Sequence, residues 1–583
     1  MKDTEKKYKH KTVKKLAALA AAMMLTFTAC AATGNAATSD TAETQTATAQ
    51  VYDAASKSEQ FTERDLAGDY DESSAIAISL DGTSATVTSE SNTSSGVTID
   101  GSTITITAEG TYIFSGTLTD GMIIVNADEN AKVQIVLNGA EITSKTSAAL
   151  YVFSADKVFV TTAAGTENSL ANGGTFTAID DSNIDGAVFA KDDITFNGSG
   201  SLTVTSPAGH GIVGKDDVKI AGGTITITAA KHGIQANDSA RFAEADVTIN
   251  AGTDGVHVSD STDEEEGTES DSYFYIADAA LTIEAGDDGI HADAQAMIEG
   301  GSITVNGSYE AIEALTIDIS GGDIDVKASD DGLNAAGGNS SGTASGGTFG
   351  EDDWAGGQGG FPGGGGFSDG GTDGSIEISG GNVKIQAGGD GVDSNGSVEI
   401  SGGTTVVEGP SQGDTSVLDF NSTGTITGGT FIGTGGASMA SNFSNTENQG
   451  LITVSTGSQS AGTTVTLTDN DGNVVAEVTP KLDYAVVYIS TPDIDQNGTY
   501  TLTAGSFSET FELTDGMYSS LSGGMQNGRQ GGMMRPDMGG NAGRNGMQGS
   551  SNSGETDGMT GATENSQQTE RMQEEQPQQG QSI

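Results

Sequence analysis

Basic residues are scarce. The chain of 583 residues has 24 Lys and Arg against 81 Asp and Glu, for a formal net charge of −57. No basic stripe exists to release counterions, so nucleic acid and anionic lipid surfaces are excluded as direct partners. The balance fits a solvated secreted surface and, more specifically, a protein whose carboxylates are offset by bound cations. Cysteine occurs once, as Cys30, so no intrachain disulfide is possible. Proline occurs 7 times against 86 glycines, which argues against collagen and for many tight turns. Long helical patterns are missing after residue 30, and no Ser-His-Asp pattern, phosphate loop or zinc signature stands out.

What is present is alternation. Thr, Ser, Ile and Val recur in period-2 runs, so the body is expected to be all-β. A short cell repeats through the middle: a polar residue, Gly (once Ala), then a β-branched residue or Leu. It reads His210-Gly211-Ile212, His232-Gly233-Ile234, Asp254-Gly255-Val256, Asp288-Gly289-Ile290, Glu310-Ala311-Ile312, Asp331-Gly332-Leu333 and Asp390-Gly391-Val392. The central residues are 22, 22, 34, 22, 21 and 59 apart. A period near 22 indicates a solenoid in which equivalent residues stack. A second landmark recurs at Gly222-Gly223, Gly300-Gly301, Gly321-Gly322, Gly380-Gly381, Gly402-Gly403 and Gly428-Gly429. Short strands with several turns per repeat suit a parallel β-helix. In the clearest repeat Val218, Ile220, Ile225 and Ile227 should point inward, with Thr224, Thr226 and Thr228 outward. The cell glycine is expected to form a corner turn.

The rest of the chain divides around that body, which spans residues 59–449. A Lys-rich start (Lys6, Lys7, Lys9, Lys11, Lys14, Lys15) leads into an apolar stretch at 16–29, the order of a signal peptide. Phe27-Thr28-Ala29-Cys30 resembles a bacterial lipobox, which implies lipidation at Cys30 and an anchor on the outer face of the cell membrane. Residues 30–58 make a flexible tether. Two insertions break the rhythm: an acidic one at 259–273, and a Gly-rich one at 337–374 with Trp354, Phe361 and Phe367. Residues 450–515 alternate, with turns at Asp471-Gly472 and Asn497-Gly498, and are expected to form a small β-sandwich capping the solenoid. Residues 516–583, rich in Gly, Met and Gln, have no apolar period and are expected to be disordered.

Five of the seven cells begin with a carboxylate. Ca²⁺ takes six to eight hard oxygens, and coils one strand spacing apart, about 4.8 Å, bring carboxylates at the same corner together. The candidate ligands are Asp254, Asp287, Asp288, Glu310, Glu313, Asp330, Asp331, Asp390 and Asp393. His210, His232, His257 and His291 also recur at the cells and offer a lesser case for a transition metal. Lys191-Asp192-Asp193 and Lys215-Asp216-Asp217 repeat 24 residues apart, so these lysines should stack. A lysine there, or Lys231, beside a cation-bound uronate suits the base of a β-elimination, but a structural or surface lysine balancing neighbouring acids is the better reading of each.

Phe61-Thr62-Glu63-Arg64-Asp65-Leu66, Ser115-Gly116-Thr117-Leu118-Thr119-Asp120-Gly121, Val136-Leu137-Asn138-Gly139, Lys191-Asp192-Asp193-Ile194-Thr195 and the Asp-Gly-Ile cells together carry a resemblance. Over about residues 59–515 the chain resembles the bacterial cell-surface carbohydrate-binding-domain proteins. That resemblance implies a right-handed parallel β-helix similar to polysaccharide lyases, bound Ca²⁺, and binding of polysaccharides such as cellulose or polygalacturonate. It does not imply catalysis. His210 and His232 stand where acids are common in that family, and Ala311 replaces Gly. The leading expectation is a monomeric, non-catalytic, lipid-anchored polysaccharide-binding protein. A calcium-dependent pectate-type lyase and a structural adhesin or spacer stay open.

Overall fold

The computed structural model describes residues 57–89, 96–259, 271–336, 374–410 and 415–521. The signal peptide, Cys30, most of the tether, Trp354, Phe361, Phe367, residues 260–270 of the acidic insertion and the tail from residue 522 lie outside the described residues.

The described chain is nearly all β, with only the two short helices Lys57–Gln60 and Glu63–Leu66. In the body the chain runs through three strands and then repeats. His210–Gly214, Asp217–Ile220 and Gly223–Ala229 are followed by Ile234–Ala236, Ser239–Phe242 and Ala245–Ala251. Each strand pairs in parallel with its counterpart one repeat later, which produces three stacks. In the first stack the register is Ile212, Ile234, Val256, Ile290, Ile312, Leu333, Val392. In the third it is Ile225, Val247, Leu281, Ile303, Ile324, Val383. These columns are buried in one continuous core. Burial of each such side chain contributes about 1.5–3 kcal/mol, and like-shaped β-branched neighbours pack well across strands.

Alternation fixes which side faces in. Val218, Ile220, Ile225 and Ile227 are buried, while Thr224, Thr226 and Thr228 are exposed. The long cell spacings of 34 and 59 are single repeats enlarged by insertions, because Val256–Val258 pairs directly with Ile290–Ile298, and Leu333–Ala335 with Val392–Ser394. Both insertions leave the chain between a first-stack strand and the second-stack strand after it.

The two glycine landmarks differ in their physical cause. In the Gly-Gly turns the second glycine is left-handed, as at Gly381 with φ 77°. The cell glycines have no positive φ. They are required by close approach: a Cβ on Gly255 would lie 2.5 Å from both Ile283 Cγ2 and the Gly289 carbonyl oxygen. The chain does bend at Gly233, Gly255, Gly289, Gly332 and Gly391, and what requires glycine at that corner is close packing. Gly255→Ala is expected to destabilise the fold by about 1–3 kcal/mol, read as a lowered denaturation midpoint; an unchanged midpoint would refute the close-approach explanation. Nothing in the structure explains why the fifth cell admits Ala311.

Both ends of the stacks are covered. At the start, Ile76–Gly82 pairs antiparallel with Ala85–Val87, and Val97–Asp100 with Thr103–Ile106. At the finish, Thr430–Gly435 pairs antiparallel with Tyr484–Thr491, which also pairs with Gly450–Gln459. A separate four-stranded antiparallel sheet, Val474–Val478, Val465–Asp469, Thr499–Ala504, Phe507–Glu512, packs on that region through Ile452, Val454, Leu467 and Leu502. Covered edges deny other chains a template for strand addition. The Asp471-Gly472 turn closes a hairpin, with Asp469 Oδ1 accepting from the N–H groups of Asp471 and Asn473 at 2.9 and 2.8 Å. Asn497-Gly498 instead links strands that belong to different sheets.

The helix Glu63–Leu66 locks the start of the described chain onto the body. Asp65 is fully buried, with its Oδ1 2.6 Å from Lys157 Nζ and accepting from Thr195 Oγ1 at 2.9 Å. Its Oδ2 closes a capping box with Thr62. Asn197 Nδ2 donates to the carbonyls of Asp65 and Ala67. Burial opposes the Asp65 charge, yet Lys157 and Lys219 hold its carboxyl well below the usual carboxylate range.

Candidate cation-binding columns

The cell places two outward columns side by side. The backbone N–H groups of Gly211, Gly233, Gly255, Gly289, Ala311, Gly332 and Gly391 donate to the carbonyls of His232, Asp254, Asp288, Glu310, Asp331, Asp390 and Ser416. That ladder stacks the first residue of each cell above the next. Three positions later, the outward residue of each first-stack strand forms a second column: Val213, Gln235, His257, His291, Glu313, Asn334, Asp393. Before Val213 the same column carries the aromatic pair Tyr151 and Phe189.

The cell acids also serve the backbone, a role that spacing alone did not reveal. Asp254 Oδ1 accepts from the Asp288 N–H at 3.3 Å, and Asp288 Oδ1 from the Glu310 N–H at 3.2 Å. Asp331 Oδ1 accepts from the Asp390 N–H, and Asp390 Oδ1 from the Ser416 N–H. Each carboxylate therefore ties one repeat to the next before any ion is considered.

Several of the sequence-predicted ligands converge. Asp254, Asp287 and Asp288 offer oxygens within 4.8 Å of one another, as do Asp390, Asp393 and Asp419. Asp288 and Glu313 converge on His291 in a third set. Glu310, Asp330 and Asp331 join none of these sets: Glu310 accepts from Asn334 Nδ2 at 2.9 Å, and Asp330 receives the Tyr309 hydroxyl. Asp419 was missed because Ser416 replaces the cell and no Gly marks it; the Val417-Leu418-Asp419 run, bridged at Val392 to Leu418, is the signal that finds it. Asp216, Asp217 and Asp238 form a further group that the lysine-centred repeat concealed. Asp217 accepts from Arg241 Nη2 through both oxygens, each at 3.0 Å, and from Ser239 Oγ through Oδ1.

The electrostatics split the columns into two kinds of place. Around His291, carboxylates meet an internal cation: Nδ1 lies 2.6 Å from Glu313 Oε2 and Nε2 3.3 Å from Asp293 Oδ1. Burial opposes the imidazolium, but Asp288, Asp293 and Glu313 raise its pKa well above the ordinary value. Away from His291 carboxyls are pushed up because burial and like charge both disfavour ionisation, Asp331 to about 8 and Glu310 to about 9, and Asp288 is pushed to about 7 even though His291 opposes the rise. Asp216 is pushed to about 8 by burial and Asp238. Such groups give up a proton readily when a cation replaces it.

The imidazoles form a stack of their own, one ring per repeat. His210, His232, His257 and His291 have successive centroids 4.9, 4.4 and 4.8 Å apart, with planes within 21°. The lysines also align: Lys191 Nζ lies 4.2 Å from the Phe153 ring centroid and Lys215 Nζ 6.0 Å from that of Phe189, so both rest on aromatic faces.

Fold and columns together define an all-β protein of parallel stacks that presents carboxylates and imidazoles along one face. A family model described as carbohydrate-binding domain-containing protein matches residues 100–352. A protein of Acetivibrio thermocellus described in the same words is 38% identical over 122 residues, 21% of this chain and 43% of its own length. The chain thus spans less than half of that curated relative. The solved structure of a polysaccharide lyase-like protein from C. thermocellum, a gadolinium derivative, is 28% identical, with a TM-score of 0.37. The match covers 44% of this chain and 96% of that one.

Proposed function

We propose that this chain is a polysaccharide-binding protein of the cell surface, lipid-anchored through Cys30, whose acid columns hold Ca²⁺. On this reading the three stacks are the sheets of a right-handed parallel β-helix. The observation that carries the proposal is the convergence of Asp254, Asp287 and Asp288 on adjacent repeats inside the region matched by the carbohydrate-binding family model. The donor set fits the ion. It is all hard oxygen, and three carboxylates with carbonyls and water supply the six to eight ligands Ca²⁺ takes. Asp390, Asp393 and Asp419 fit by the same criterion. A chain with a net charge of −57 repels an anionic glycan unless cations bridge the two, so Ca²⁺ serves both fold and recognition.

The test is to incubate the purified chain with polygalacturonate in Ca²⁺ and in chelator, following retention and the ultraviolet absorbance of unsaturated product. Retention in Ca²⁺ without new absorbance is expected. Accumulating absorbance would replace binding by a lyase activity. Absence of retention under every condition would reduce the columns to a stiffening role.

A further inference from the structure

We propose that His232, Asp254 and His257 form a site for a borderline transition-metal dication of the Zn²⁺, Ni²⁺ or Co²⁺ class, adjoining the oxygen-only Ca²⁺ place and sharing Asp254 with it. The three side chains offer ligand atoms within 4.8 Å of one another. His257 Nδ1 lies 2.6 Å and His232 Nδ1 3.1 Å from the same oxygen, Asp254 Oδ2. Two imidazole nitrogens and one carboxylate oxygen are a donor set suited to such metals, with a fourth position left for water or ligand. Ca²⁺ prefers oxygen and gains little from this set.

His232 Nδ1 is already within reach of Thr253 Oγ1 at 2.9 Å and of the Asp254 backbone nitrogen at 3.3 Å, so a metal there would take the lone pair those donors now face. One further observation points to an ion. The buried ring of His210, stacked on His232, has an Nδ1 with no hydrogen-bond partner. An orphaned buried nitrogen is costly, and here it adjoins the proposed site. The neighbouring His291 set is different: both its nitrogens already face carboxylates, so it is an ion pair complete in itself.

Binding displaces the proton between His257 Nδ1 and Asp254 Oδ2 to solvent, and no other bond changes. The test is Co²⁺ titration of the full chain in excess Ca²⁺, read by visible d–d absorption and by calorimetry. One equivalent is expected to bind with a nitrogen-ligated spectrum. His232→Gln and His257→Gln, whose rings are partly exposed, should each weaken it by roughly 10–100-fold, the scale seen even for loss of an orienting partner. Asp393→Asn should leave it unchanged, and thermal melting checks that each variant is folded. Absence of d–d bands, displacement by Ca²⁺, or equal binding by folded His232→Gln and His257→Gln would overturn the proposal. Because Ca²⁺ is present throughout, the result is independent of whether the glycan reading holds.

Discussion

In chelator, the melting temperature of this protein is expected to fall as pH rises from about 5 to about 9, and Ca²⁺ is expected to remove most of that fall. Asp288, Asp331 and Glu310 keep their protons in the folded chain up to about 7, 8 and 9. In the unfolded chain such groups ionise near ~4. Between those limits the folded state binds more protons, so stability decreases with pH. His291 acts in the same direction, since its raised pKa stabilises the fold at low pH and that contribution is lost as pH rises through the folded value. Asp254 and Glu313 have lowered values, so their contribution is present above ~4 and is lost only in acid, outside this window, while His210 and His257, lowered by burial, oppose the fall only up to about 6.5, and Lys219, lowered to about 8, only above that value. Ca²⁺ at about one hundred times its dissociation constant adds about 2.7 kcal/mol. A melting temperature that is flat or rising with pH in chelator would contradict the like-charge account of the columns.

Asp65→Ala is expected to cost about 3–5 kcal/mol, the scale for removing one partner of a buried ion pair. The change strands Lys157, whose side chain is 8% exposed, and deletes the acceptor for Thr195 Oγ1 and the Thr62 cap. Replacing Asp65 and Lys157 together by apolar residues of similar volume should recover much of that loss, because the desolvation cost disappears with the charges. The Asp65 carboxyl lies well below its unfolded value, so this stabilisation is complete above ~4 and fades as pH falls through the folded value. Denaturant midpoints of the single and double variants decide the matter; a single variant as stable as the parent would remove Asp65 from any locking role.

The repeat was legible because alternation and the cell spacing encode the same geometry twice. Ile212, Ile234 and Val256 are spaced by one turn, and they stack in register. Side-chain partnerships between repeats were not legible. Asp65 meets Lys157 and Thr195 across 92 and 130 residues, and no local pattern encodes that. The cell glycine was legible as a landmark but not in its cause, since a close approach and a left-handed turn leave the same letter. Among the acids, the convergence of Asp254, Asp287 and Asp288 follows from the spacing, whereas Asp419 lies where the cell has lost its glycine. Bonds from Asp254 and Asp288 to the next repeat's backbone depend on rotamers, which a sequence does not print.

On the proposed reading, cations held by the acid columns grip an anionic glycan. The most direct measurement is polygalacturonate binding by the purified chain and by a folded Asp287→Asn/Asp288→Asn variant, each in Ca²⁺ and in chelator. Binding by the parent in Ca²⁺ is expected, with its loss in chelator and a binding weaker by about tenfold or more in the variant, or at least about 1.4 kcal/mol. Equal binding in Ca²⁺ and chelator, or equal binding by parent and variant, would contradict that reading.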